Sequence, residues 1–233
     1  MRTPATPATR SDRVRAGVRA FGELLITFGL VLLLFVAYQL VWTNVEAKRE
    51  QGQVSDQIRD LWARPKAMAG TGPREADFGK GFAFIRIPRL GRDYAVPVLE
   101  GVGLDVLARG VGHYPRTAMP GQVGNFSVAG HRATNGEPFA YLDRLRDGDR
   151  VYVETRSTWF TYEIVDERIV APTDVWVIDP VPGRPKAVPT ESLITLTTCN
   201  PRWASYQRLI LRGTLVDTRD KADGPPPELI RRG

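Results

Sequence analysis

One thiol, two imidazoles and a suitably spaced guanidinium are the groups in this 233-residue chain that could do covalent chemistry together. The sole cysteine, Cys199, ends a β-like run in "LITLTTCNPR" (193–202). A cysteine attacks as the thiolate, so it needs a base or cation to hold that form and a donor for the oxyanion it creates. The two histidines are His113, in "GVGHYPRTAMPGQVGN", and His131, in "FSVAGHRATNGEPF". Both sit in glycine-flanked, turn-like sequence that can expose an imidazole at the rim of a fold. Arg208 follows Cys199 by nine residues, with strand, loop and strand between. That spacing lets neighbouring strand ends present thiol and guanidinium to one groove.

Each residue also has a structural reading. A lone cysteine is among the most buried residue types and is usually inert. Single histidines often satisfy local hydrogen bonds, and a strand arginine often covers a barrel flank. Other chemistries drop out on spacing. One cysteine and two histidines eighteen residues apart form neither a zinc finger nor HExxH, and no acidic cluster marks calcium. There is no phosphate-binding glycine loop. No metal and no cofactor is therefore expected. A single cysteine also excludes an intrachain disulfide framework, so packing alone must hold the fold. At 42% hydrophobic residues, the chain can supply the core.

The elements that would position these groups are short strands. From residue 82 they read "FAFIRI" (82–87), "AVPVLE" (95–100) and "NFSVAG" (125–130), with a short helix near 138–145 after them. Then come "DRVYVET" (149–155), "TWFTYEIVDERIV" (158–170), "LITLTTC" (193–199) and "QRLILRGTLVD" (207–217). Pro97 marks the second as an edge strand, since proline cannot donate to a ladder. Many short strands, turn signals and little helix predict an all-β fold, a closed β-barrel with short helices over 81–217. The polar, proline-rich tail 218–233 reads as disordered.

The N-terminus differs in kind. Residues 21–43 form a mostly apolar run of the length a helix needs to cross a bilayer, about 20 residues. Tyr38 and Trp42 fall where an aromatic belt would lie. Segment 1–20 carries Arg2, Arg10, Arg13, Arg15 and Arg19 against Asp12 alone. The positive-inside rule then keeps the N-terminus cytoplasmic and exports everything after the span, a single-pass arrangement in the cell membrane. Val45-Glu46-Ala47 resembles a signal-peptide cleavage site, but the run exceeds the usual h-region. Residues 44–80 read as a helical stalk and linker, with Val54, Ile58, Leu61 and Trp62 forming one apolar stripe. The net charge of +6 owes much to the basic tail, and no basic-aromatic stripe is present, so nucleic acid is not an expected partner.

"TLTTC" followed by "QRLIL" resembles the TLxTC…R signature of the sortases, and "HYPRTAMPGQVGNFSVAGHR" resembles the segment leading to their catalytic histidine. The likeness runs from Phe21 to about Val216 and is greatest to class E. It implies a membrane-anchored cysteine transpeptidase with Cys199 as nucleophile, His131 as general acid/base and Arg208 as oxyanion or substrate stabiliser. Arg212 is a rival for the last role. Tyr114 resembles a class E tyrosine near the groove, and Thr198 and Arg132, adjoining the catalytic residues, would help shape it. The implied partners are secreted proteins with C-terminal sorting signals of LAxTG or LPxTG type. The acceptor would be a peptidoglycan precursor or another amine. Two alternatives stay open on the residues: a peptidase that hydrolyses the same thioester, and a tethered barrel that binds cell-wall polymer without chemistry.

Overall fold

The chain is described by a computed structural model covering residues 10–64 and 79–230. Most of the expected linker, residues 65–78, lies outside the described residues, as do positions 1–9 of the basic tail. The chain divides into two compact units, residues 1–42 and 43–233.

The first unit is helical. Helix α1 (Arg10–Ala63) begins in it, and its stretch Arg15–Tyr38 is long and apolar enough to cross a membrane. Glu23 in that stretch accepts from Arg19 Nε at 2.9 Å, an i,i+4 pair.

In the second unit, segments mostly rich in β-branched and aromatic residues build eight strands. They are β1 (Gly81–Arg86), β2 (Ala95–Glu100), β3 (Val111–His113), β4 (Gly124–Ala129), β5 (Arg150–Glu154), β6 (Thr158–Val170), β7 (Ser192–Asn200) and β8 (Gln207–Asp220). They close into a barrel in the order β1-β2-β3-β4-β7-β8-β6-β5. Two neighbouring pairs, β2–β3 and β4–β7, are parallel, and the others are antiparallel. Ile85, Val98, Phe126, Val153, Ile194 and Leu211 all point into one sealed core. A short helix, α2 (Leu104–Leu107), connects β2 to β3.

Four expectations change. Strand β2 is not an edge: it pairs with β1 on one side and β3 on the other. Pro97 is tolerated because the β3 ladder starts only at Val98. The helix expected near 138–145 is a single 3-10 turn, Leu142–Arg144. The tail expected to be disordered is ordered through residue 230. Strand β8 runs on to Asp220, and after a turn α3 (Pro227–Ile230) brings Glu228 to an ion pair with Arg150.

The fourth concerns the stalk. Ala47, Val54 and Ile58 are buried, and Val54, Ile58 and the partly buried Trp62 pack with Phe84, Leu99 and Val106 of the barrel unit. Leu61 turns outward instead, at 45% exposure, because the docked stripe runs through 47, 54, 58 and 62. Burying a side chain the size of Ile58 is worth about 1.5–3 kcal/mol, so the stalk is held to the barrel by its own packing.

Candidate active site

Alternation along β7 aims the Cys199 thiol. Ile194 and Leu196 fill the core, so Thr195, Thr197 and Cys199 take the outer face. Thr195 and Thr197 are covered by overlying loops, while Cys199, at the strand end, is half-buried. Directly opposite on β8 stands Arg208, the ladder partner of Cys199. Facing residues of an antiparallel pair share a side, with Cβ atoms about 4.5–5.5 Å apart. Arg208 Nη1 donates to the carbonyls of Ser205 and Gln207, both at 2.8 Å, which fixes the guanidinium at the mouth of the β7–β8 loop. Among the described residues its Nε and Nη2 have no partner. Arg212, the rival, stands opposite Thr195 and is engaged by Asp166 through both Nε and Nη2. Its fork is already filled.

Strand β4 brings an imidazole. It runs parallel beside β7 as far as Ala129 opposite Thr197. Gly130 N–H then donates to the Thr197 carbonyl at 3.1 Å. His131 therefore leaves the sheet level with Cys199. Glycine is required at 130, where a Cβ would lie 2.6 Å from the Phe139 ring. The loop that follows closes on itself when Phe139 N–H donates to the His131 carbonyl at 2.9 Å. His131 is half-buried, and burial pushes its pKa below the ordinary histidine value. Its imidazolium is thus a stronger acid than a free one, which suits proton delivery to a departing amine.

Thr198 and Arg132, expected to line a groove, are buried supports. Thr198 Oγ1 donates to the Gly130 carbonyl at 2.8 Å, pinning the start of the His131 loop. Arg132 Nη1 donates to the Cys199 carbonyl at 3.1 Å and to Asn200 Oδ1 at 2.7 Å, while Nη2 meets Asp143 at 3.2 Å. One guanidinium so ties the His131 loop to the end of β7. Tyr114 is half-buried, and its hydroxyl lies 3.0 Å from Thr197 Oγ1, two residues before Cys199. His113 is elsewhere: it is 2% exposed, with Glu100 on Nδ1 at 2.6 Å and Thr117 on Nε2 at 2.8 Å.

Sequence reasoning missed Asn135, whose Nδ2 lies 3.2 Å from His131 Nε2. It also missed Glu137, which pairs with Arg202 across to the β7–β8 loop. The signal was present in Asn135-Gly136, a dipeptide suited to left-handed backbone; residues 135, 136 and 137 have φ of 52°, 74° and 49°. Beside this loop lies a cavity of about 500 Å³, bounded by Asn44, Gln51, Tyr94 and Tyr141; Cys199, His131 and Arg208 do not line it. Among the described residues no group of three or more His, Cys, Asp or Glu side chains is placed to hold a metal.

The Sortase domain family model matches residues 85–216, which hold all eight strands in whole or part and every residue of this site. The chain belongs to the sortase family. Sortases are cysteine transpeptidases, and the likeness to class E is direct. Sortase SrtE1 of Streptomyces coelicolor is 42% identical over 220 residues, covering 91% of this chain and 61% of the relative. SrtE2 of the same organism is 35% identical over 94% of this chain and 91% of its own length. The structure of sortase E from Streptomyces avermitilis superimposes with a TM-score of 0.60 at 47% identity, covering 65% of this chain and 98% of that one. A sortase barrel with an N-terminal candidate membrane span is the architecture at hand.

Proposed function

We propose that this chain is a membrane-anchored transpeptidase that cleaves a Thr-Gly bond in a C-terminal sorting signal and transfers the acyl group to a cell-wall amine. The observation that carries this reading is the register pair Cys199–Arg208, with His131 leaving the neighbouring strand at the same level. The Cys199 thiolate attacks the threonine carbonyl carbon, and Arg208, permanently charged and presenting a fork of donors, meets the oxyanion. The C–N bond breaks as the His131 imidazolium gives its proton to the glycine nitrogen. The acyl group is left as a thioester on Cys199. An incoming amine attacks that thioester, His131 takes the amine's proton, and the thiolate departs.

The arginines at 10, 13, 15 and 19 support an orientation with the N-terminus cytoplasmic and the barrel outside. Tyr114 supports a preference for LAxTG over LPxTG. Its hydroxyl stands at the rim two residues from the nucleophile, where it can bond a peptide carbonyl that a proline ring would crowd.

The test is intact mass spectrometry of the full chain in detergent, mixed with an LAxTG peptide. A covalent adduct of the peptide's N-terminal part, absent in Cys199→Ala, is expected, and added glycine-based amine should collect the acyl group. Release to water alone would favour hydrolysis. Absence of adduct or cleavage with either LAxTG or LPxTG would return Cys199 to a space-filling role.

A further inference from the structure

The stalk helix reaches into the catalytic loop. Asn44 Nδ2 donates to Glu137 Oε1 at 3.0 Å, and the Gly136 N–H donates to Asn44 Oδ1 at 3.1 Å. About two turns later, Gln51 Nε2 donates to the Asn135 carbonyl at 3.4 Å. The amide of Gln51 lies so close to Gly136 that a Cβ there would stand 2.5 Å from Nε2. The three residues so gripped, 135 to 137, are consecutive in the left-handed region, and two of them are not glycine. Such backbone persists only where its surroundings over-determine it, and the stalk supplies much of that restraint. Asn135 in turn turns its Nδ2 to His131 Nε2. An amide nitrogen only donates, so it selects the imidazole with Nε2 unprotonated and the proton on Nδ1.

We infer that the juxtamembrane stalk is a working part of the active site, with Asn44 and Gln51 as positioning residues that set the tautomer of His131 through Asn135. The inference rests on the transpeptidase reading for its purpose but not for its geometry. Asn44 belongs to the helix face that also buries Ala47, Val54 and Ile58, so the grip forms only when the stalk is docked. Glu137, held by Asn44 on one oxygen, pairs with Arg202 through the other and so passes the restraint to the loop after Cys199. The base loop and the nucleophile loop are registered to one helix.

The chain has two histidines, so ¹⁵N-histidine labelling of the full chain in detergent micelles gives two imidazoles to follow, and His113 serves as the internal reference. Above the pH at which His131 titrates, its ring should show the Nδ1–H form. In Asn135→Ala it should pass to a mixture richer in Nε2–H. Asn44→Ala and Gln51→Ala should each move it the same way, and the double variant nearly as far as Asn135→Ala. His113 should stay fixed in all of them. Turnover of the same variants should fall by about tenfold to a hundredfold in kcat, the cost of roughly an ångström's misplacement, with KM little changed. If the two stalk variants, folded by thermal unfolding, keep the wild-type tautomer while Asn135→Ala loses it, the stalk is only a tether and the inference is wrong. If Asn135→Ala keeps it too, the link fails at its first step. An absent acyl-enzyme in the unaltered chain would instead overturn the transpeptidase reading, leaving the tautomer result to stand by itself.

Discussion

The two histidines sit on neighbouring strands of one barrel and have opposite surroundings. His113, on β3, has the arrangement often sought in a catalytic base: a carboxylate, Glu100, on one ring nitrogen and a hydroxyl, Thr117, on the other. Yet its ring is packed between Phe82 and Phe126 at 2% exposure, and both nitrogens are spoken for. Among the described residues the His131 ring has a single neutral partner; it stands at the end of β4 and is half open to solvent. A complete set of partners seals His113 as structure. The His131 ring keeps an opening to solvent that His113 lacks.

Exchanging the two losses gives the sharpest test of that contrast. His131→Ala should lower turnover by about 10²–10⁴-fold, the usual weight of a positioned general acid/base, with little change in thermal unfolding. His113→Ala should do the reverse. It strands the Glu100 carboxylate, 8% exposed, among apolar rings, and breaking a buried pair in this way costs about 3–5 kcal/mol. Turnover per folded molecule, counted by Cys199 alkylation, should stay within a few-fold of wild type. The opposite ranking would make His113 the base.

The arginines of β8 repeat the contrast more weakly. Arg212 is saturated by Asp166, as His113 is by Glu100, whereas Arg208 spends one nitrogen on two carbonyls. Replacing Arg208 by lysine keeps the charge and loses the fork, and the loss of an oxyanion donor typically costs about 10²–10³ in kcat. Arg212→Lys should cost little activity. Near-native turnover in Arg208→Lys would move the oxyanion site to backbone amides or to Arg212. A smaller effect belongs to Thr198→Val. It removes the bond to the Gly130 carbonyl that pins the His131 loop, worth about 1 kcal/mol of stability. Activity should fall less than in Arg208→Lys, and an intact thermal midpoint would show that the pin is idle.

How much of this was legible in the sequence divides by distance along the chain. Strand β6 was read at 158–170, its observed bounds, because the run is dense in aromatic and β-branched residues. Cys199 and Arg208 lie nine residues apart on one hairpin, so spacing alone suggested that they could meet. Strand β3 was missed, since three residues set among glycines carry no periodicity. The edge expectation for β2 failed because a local proline rule cannot see that the β3 ladder stops one residue short. Arg132 and Thr198 were placed beside the site but given the wrong kind of work. Their bonds across the site reach 67 to 68 residues along the chain, and nothing local reveals that they face inward. The grip of Asn44 on Glu137 joins residues 93 apart and left no trace in composition or period.

His131 also links the stability of the fold to acid. Burial holds the His131 pKa below its ordinary value of 6.5, and desolvation of the charged ring is the cause. As pH falls through about 6.5, the unfolded chain takes up this proton before the folded one does. The unfolded state then binds more protons, so stability declines with falling pH until the lowered folded value is passed, where the contribution levels off. Above 6.5 the ring is neutral in both states and adds no slope. His131→Ala removes the group from both states, while His113 and all the carboxylates remain. The stability of His131→Ala relative to the unaltered chain should therefore rise as pH is lowered from 7.5 toward 5, read from urea midpoints at each pH. Parallel curves would mean that the folded protein charges His131 as easily as water does, and that burial leaves its acidity unchanged.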